Sequence, residues 1–96
     1  MDIRIQALHF EATETLQAFI HKKVEKLKRF SDELTTAEVI LKVTKPEVKN
    51  NKEASIKLLG KGHELFADKV ADSFEEAIDL SIDALKRQLE KHKEQH

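Results

Sequence analysis

Apolar residues along this chain switch between a spacing of two and a spacing of three to four, and those switches set the order of its elements. Residues 2–8 alternate, with Ile3, Ile5 and Ala7 pointing one way and Asp2, Arg4 and Gln6 the other. That is the pattern of a strand with one buried face. The spacing then turns helical: Leu16, Phe19, Ile20, Val24, Leu27 and Phe30 form one stripe. Thr13 is placed to cap this helix, because its hydroxyl can accept from a free backbone N–H of the first turn. Glu14 follows where the helix dipole favours an anion. Ser31-Asp32 ends the run.

Alternation returns at residues 36–45, with Ala37, Val39, Leu41 and Val43 on one side. Pro46 is expected to stop this strand, since it cannot donate to a ladder. The polar stretch 46–52 reads as a turn. Residues 53–59 and 63–69 form two further strands around Gly60-Lys61-Gly62, a hairpin signal. Ala54, Ile56, Leu58, Leu65 and Ala67 face inward, while Ile40, Leu59 and Phe66 fall on the opposite face. A second helix opens at Asp72-Ser73. Ser73 with Glu76 fits a capping box, and Asp72 with Glu75 is the alternative register. Phe74, Ala77, Ile78, Ser81, Ile82, Leu85 and Leu89 make its buried stripe, which runs to about residue 92.

The order is therefore β-α-β-β-β-α, an α+β fold. The first helix supplies the crossover that a parallel pair of strands needs, and the next strands form an antiparallel meander. Both helices cover one face of a four-stranded sheet and run roughly parallel. The chain has 96 residues, enough for one domain and one core. Two Gly and one Pro are too few for a barrel or sandwich of many short strands. Without Cys there is no disulfide framework, thiolate metal site or Cys nucleophile. No apolar run reaches the length of a transmembrane helix, and residues 1–10 lack the features of a signal peptide, so a cytoplasmic location is expected.

Charge is segregated along the chain although the net value is only −1. Residues 14–30 carry five basic residues (Lys22, Lys23, Lys26, Lys28, Arg29) against two acidic ones. Residues 86–96 carry Lys86, Arg87, Lys91 and Lys93 against two acidic ones. Residues 73–85 carry Glu75, Glu76, Asp79 and Asp83 and no base. Helical spacing groups Lys22, Lys26 and Arg29 on one flank of the first helix, with Lys23 nearer the apolar stripe. On the second helix Arg87 and Lys91 share one flank, Lys86 and Lys93 lie on the other, and Asp79, Asp83 and Glu90 fall on the outer arc. Two readings stand side by side. Lysines on a helix flank are ordinarily a solvated face, and cations near a helix C-terminus complement its dipole. If instead the Lys22, Lys26 and Arg29 flank faces the Arg87 and Lys91 flank, the two line a basic groove that attracts polyanions.

Other constellations point to no chemistry. His92 and His96 have i, i+4 metal spacing but no third ligand, so neither a metal nor another cofactor is expected. Asp79 and Asp83, on an outer arc with no cleft, read as solvated charges and not as an acid/base pair. No Gly-rich phosphate loop exists. Phe10 and Phe66 are the aromatics least committed to a core stripe, with packing favoured for both, and no stacking platform for single-stranded RNA is visible. No catalytic apparatus and no small-molecule substrate are expected.

The whole chain resembles the short ribosome hibernation-promoting factors and ribosome-associated inhibitors, also called sigma-54 modulation proteins. The strongest segment is Ala77-Ile78-Asp79, then Ile82-Asp83, then Leu85-Lys86-Arg87-Gln88-Leu89-Glu90-Lys91-His92-Lys93. It is similar to the family's AID…DxLxRQLxKxK signature. Thr13-Glu14-Thr15-Leu16 with Lys23…Lys26-Leu27 resembles its TEAL…KxxKL pattern, and the strand Val39-Ile40-Leu41-Lys42-Val43 also fits. Three places depart from the pattern: Ala84 stands for a frequent basic residue, Asp72-Ser73-Phe74 for Asp-Met-Tyr, and Ala7-Leu8-His9 for a Gly-Arg-Asn-like turn.

The resemblance implies a fold shaped like double-stranded RNA-binding domains. It also implies a protein that binds the small ribosomal subunit in the messenger and transfer RNA channel and blocks translation in stationary or starved cells. Lys23, Lys26, Arg87, Lys91 and Lys93 match the family's basic positions that contact ribosomal RNA. Lys22, Arg29 and Lys86 join them on the charge pattern alone. The expectation is a single ribosome-binding domain of the short form, monomeric and without the C-terminal dimerisation domain, so it should not join two ribosomes by itself. It needs no membrane. The alternative is a protein-binding module that modulates a transcription factor through Ile40, Leu59 and Phe66.

Overall fold

The computed structural model describes residues 1–45, 47 and 49–94, the last three by their backbone. The elements are β1 (Asp2–Ala7), α1 (Glu14–Glu25) continued by a 3₁₀ turn (Lys26–Arg29), β2 (Leu34–Val43), β3 (Lys52–Gly60), β4 (His63–Ala71) and α2 (Phe74–Glu94). The predicted order stands, with shifted ends. β2 opens two residues before the expected start and closes at Val43, β4 runs two residues further, and α2 reaches Glu94. Pro46, expected to stop β2, lies outside the described residues. The first helix does not stay α-helical to Phe30. It tightens at Lys26, where Phe30 N donates to Leu27 O at 3.0 Å.

The sheet order is β1-β2-β3-β4. β1 lies parallel to β2, and the other two pairs are antiparallel. Register carries the alternation across the strands: Ile5 faces Val39, Val39 faces Ile56, and Ile56 faces Ala67. This row and its neighbours form the inner surface, since successive side chains in a strand alternate faces. Val39, Leu41, Ile56 and Leu58 are buried there against Ile20, Val24, Leu27, Ile78 and Leu85 of the helices. Ile3 and Ile5 on the edge strand are half-buried. One polar side chain enters this core. Ser81 is buried and its hydroxyl donates to Ala54 O at 3.1 Å, fixing the middle of α2 to β3.

Strand directions put α1 and α2 antiparallel to the strands they follow, and so parallel to each other. Their N-terminal ends meet, because Phe10, just ahead of α1, stacks on Phe74, the first residue of α2, with ring centroids 5.1 Å apart. Phe10 is thus packed, as expected. Both helices start on hydroxyl caps: Leu16 N donates to Thr13 Oγ1 at 3.1 Å, and Glu76 N donates to Ser73 Oγ at 3.1 Å. Ser73 is therefore the cap in preference to Asp72, whose carboxylate instead accepts from Asn50 N at 2.9 Å.

The turn after β1 carries strain. His9 sits at φ 66°, in the left-handed region, where a Cβ crowds the backbone at a cost of about 1–2 kcal/mol. Glycine removes that cost but loses more entropy on folding. His9→Gly should therefore stabilise the fold by about 0.5–1 kcal/mol, raising the thermal midpoint by ~2–8 °C in a domain of this size. Differential scanning fluorimetry reads the shift. A lower midpoint would mean that contacts of the exposed ring outweigh the strain.

Candidate nucleic-acid interface

The two helices meet along one flank each and leave a cleft of about 270 Å³ lined by Lys23, Lys26, Asp79, Ile82, Asp83 and Lys86. Core packing fixes this pairing. Val24 and Leu27 bury on one side of Lys23 and Lys26, and Ile82 and Leu85 bury beside Asp83 and Lys86. The charged tips are thereby held at the cleft while their neighbours anchor the backbone. Lys23 is the most constrained. Its ammonium lies 5.5 Å from the Phe19 ring centroid, within cation–π range, and 3.3 Å from the Asp79 carboxylate. Lys26 and Lys86 make no ion pair among the described residues.

Two expectations are corrected here. Asp79 and Asp83 do not sit on an outer arc; both line the cleft. Arg87 and Lys91 do not face α1. With 3.6 residues per turn they stand about 100° and 140° around the helix from Lys86, and Lys86 is the residue that points into the cleft. The groove between the helices is therefore not uniformly basic. Three ammonium groups share it with two carboxylates. The helix wheel identifies both flanks of α2 as polar, but the neighbour that covers each flank is a tertiary fact.

The remaining predicted site residues lie around this cleft. Lys22 and Arg29 are exposed on α1 and its 3₁₀ turn, outside the lining. The 3₁₀ winding eclipses residues three apart, so Arg29 stands over Lys26. Arg87 and Lys91 are exposed on α2. The side chain of Lys93, and the His92 and His96 pair, lie outside the described residues. Ile82 and Phe19 were not anticipated as parts of the site. They supply its apolar floor and the ring beside Lys23, and their places on the core stripes hid that role.

The outer face of the sheet has a different character. It carries two cross-strand ion pairs, Lys57 with Glu64 at 3.6 Å and Lys42 with Glu53 at 3.5 Å. Phe66 is 51% exposed, against the expectation that it packs, because it points outward from an edge strand. Ile40 is also exposed. Ser55 and Lys57 of β3 lie between these two apolar residues in the register, so they do not form one continuous patch. No helix among the described residues is long and apolar enough to cross a membrane.

Comparison with known proteins decides the family. The model for the sigma 54 modulation protein / S30EA ribosomal protein family matches residues 3–96. The chain belongs to this family. Relatives in it include the Ribosome hibernation promoting factor of Azotobacter vinelandii, 34% identical over 94 residues, covering 98% of this chain and 84% of the relative. The Ribosome hibernation promoting factor of Escherichia coli K12 is 35% identical over 94 residues, covering 98% of this chain and 95% of the relative. The same fold appears in the crystal structure of the Thermus thermophilus Protein Y N-terminal domain. The TM-score is 0.82 at 22% identity, over 96% of this chain and 99% of that one. A ribosomal subunit interface protein from Coxiella burnetii superposes with a TM-score of 0.84 at 22% identity, over 97% and 98% of the two chains.

Proposed function

We propose that this chain is a ribosome hibernation factor of the cytoplasm with no enzymatic activity. It binds the small ribosomal subunit through ribosomal RNA and silences translation by occupying the messenger and transfer RNA channel. One observation carries the reading: Lys23, Lys26 and Lys86 converge from two elements on one cleft, in a chain whose relatives are named ribosome hibernation promoting factors. Ammonium groups at a cleft with an apolar floor attract phosphate oxygens, and such contacts position a protein on RNA without reading its sequence. Lys22, Arg29, Arg87 and Lys91 extend the basic surface beyond the cleft, and Lys93 joins them as a proposed RNA contact on the sequence pattern alone. Specificity comes from the shape of the folded body against the channel, since a net charge of −1 supports no strong indiscriminate RNA binding. The chain acts as a single monomeric ribosome-binding unit.

Purified protein should sediment with small subunits and inhibit translation in a reconstituted system. Release of the counterions condensed on three phosphates predicts a loss of affinity of about 20–40-fold as salt rises from ~50 to ~200 mM. Ribonuclease digestion should abolish the association. A partner that stays bound after the RNA is removed would overturn the ribosomal reading and favour the protein-binding alternative.

A further inference from the structure

The two carboxylates in the cleft are out of place in a simple phosphate-binding groove. Asp79 and Asp83 lie on the same turns of α2 as Ile82 and Lys86, and Asp79 already holds Lys23 at 3.3 Å. The side of α2 that carries them is fixed by burial of Ile78, Ile82 and Leu85, so both residues stay on the cleft face of the helix. The Phe19 ring lies 5.5 Å from the same ammonium and adds a second contact to it. A phosphate arriving in the cleft meets three ammonium groups offset by two carboxylates, and it must displace Asp79 to reach Lys23.

We propose that Asp79 and Asp83 are specificity-determining residues, which hold the cleft below the positive charge needed to bind an arbitrary polyanion. This deepens the ribosomal reading and rests on it. A flexible polyanion offers the cleft only phosphates, so it bears the full repulsion of both carboxylates. A structured RNA surface that engages the basic residues outside the cleft as well has other contacts to offset that repulsion. The carboxylates therefore weaken generic binding more than cognate binding, which raises discrimination at the expense of affinity. Without them the cleft would carry three cations, and free Lys23 would bind any phosphate chain.

The test compares three proteins: the unaltered chain, the variant Asp79→Asn with Asp83→Asn, and a control with Glu47→Gln and Asp68→Asn. The control makes the same change in net charge at exposed residues outside the cleft. The probes are a short labelled poly(U) strand, read by fluorescence anisotropy at several salt concentrations, and purified small subunits, read by sedimentation. In the cleft variant the affinity for poly(U) should rise about 10-fold or more. Its dependence of log K on log salt should steepen by about one unit, as Lys23 gains a phosphate. Binding to small subunits should change less, and the control should leave both nearly unmoved. An unchanged poly(U) affinity in the cleft variant, or an equal rise in the control, overturns the assignment. Because the poly(U) measurement uses no ribosome, failure of the unaltered chain to sediment with small subunits is a separate result that bears on the ribosomal reading.

Discussion

Replacing Lys23, Lys26 and Lys86 together by Gln should lower affinity for the small subunit about 100–1000-fold, at roughly 1–1.5 kcal/mol for each lost charge-assisted contact. Gln is chosen over Ala because part of the lysine stem covers apolar surface, and Gln keeps most of that cover. The fold should survive. Lys26 is exposed, and the Lys23–Asp79 pair joins side chains 32% and 51% exposed, a class of ion pair that contributes only about 0–1 kcal/mol. Far-UV circular dichroism and the thermal midpoint should therefore stay near those of the unaltered protein. The salt dependence of the remaining binding should become shallower by about two to three units, one for each phosphate contact removed. The opposing variant changes Lys22, Arg29, Arg87 and Lys91, which lie outside the cleft. It removes more charge but should cost less, about 10-fold, because those side chains are solvated and free to adapt. A larger loss in this second variant than in the first would place the RNA contact on the outer helical surfaces and not between the helices.

The contrast between these variants separates what local sequence dictates from what tertiary packing adds. Periodicity identified every element, because each buries one face against a single core and its apolar spacing must match its backbone geometry. The caps at Thr13 and Ser73 were legible for the same local reason: a hydroxyl next to free N–H groups has few other uses. Asp72 could not be resolved from Ser73, since its use as an acceptor for Asn50 N depends on a loop far away in the chain. The tightening at Lys26 had no marker in Lys26-Leu27-Lys28-Arg29, a run without Gly or Pro. The face that α2 presents to α1 is not legible in its own sequence. Ile82 and Ala77 flank the α2 stripe on opposite sides and both are buried, so the wheel alone treats the Lys86 flank and the Lys91 flank alike. Only packing against α1 breaks that symmetry, and it brings Asp79 and Asp83 into the cleft with Lys86.

The site depends on α2 being held rigidly, and Leu85→Ala should show how rigidly. Leu85 is fully buried at the centre of the α2 stripe, one turn from Ser81 and one turn from Leu89. Truncating a buried leucine costs about 2–5 kcal/mol, with the value set by how far the surroundings collapse into the space left. Here collapse is opposed. The Ser81 hydroxyl is bonded to Ala54 O at 3.1 Å, which pins the helix one turn away at its present distance from β3. The cost should therefore fall in the upper part of the range, about 3–5 kcal/mol, a large share of the ~5–15 kcal/mol typical of a domain. In urea, with a slope of about 1–2 kcal/mol/M, the midpoint should drop by roughly 2 M or more. Leu80→Ala on the same helix, at a position 41% exposed, should shift it by no more than ~0.5 kcal/mol. The pinning itself is tested by a double-mutant cycle. Ser81→Ala alone removes this second hydrogen bond to Ala54 O, which keeps its place in the strand ladder opposite Lys69, and should cost about 0.5–1.5 kcal/mol. With that bond gone, α2 can settle toward β3, so Ser81→Ala with Leu85→Ala should cost at least about 0.5 kcal/mol less than the two single changes added together. Strict additivity would show that the serine does not restrain the helix, and that the cleft keeps its shape through apolar packing alone.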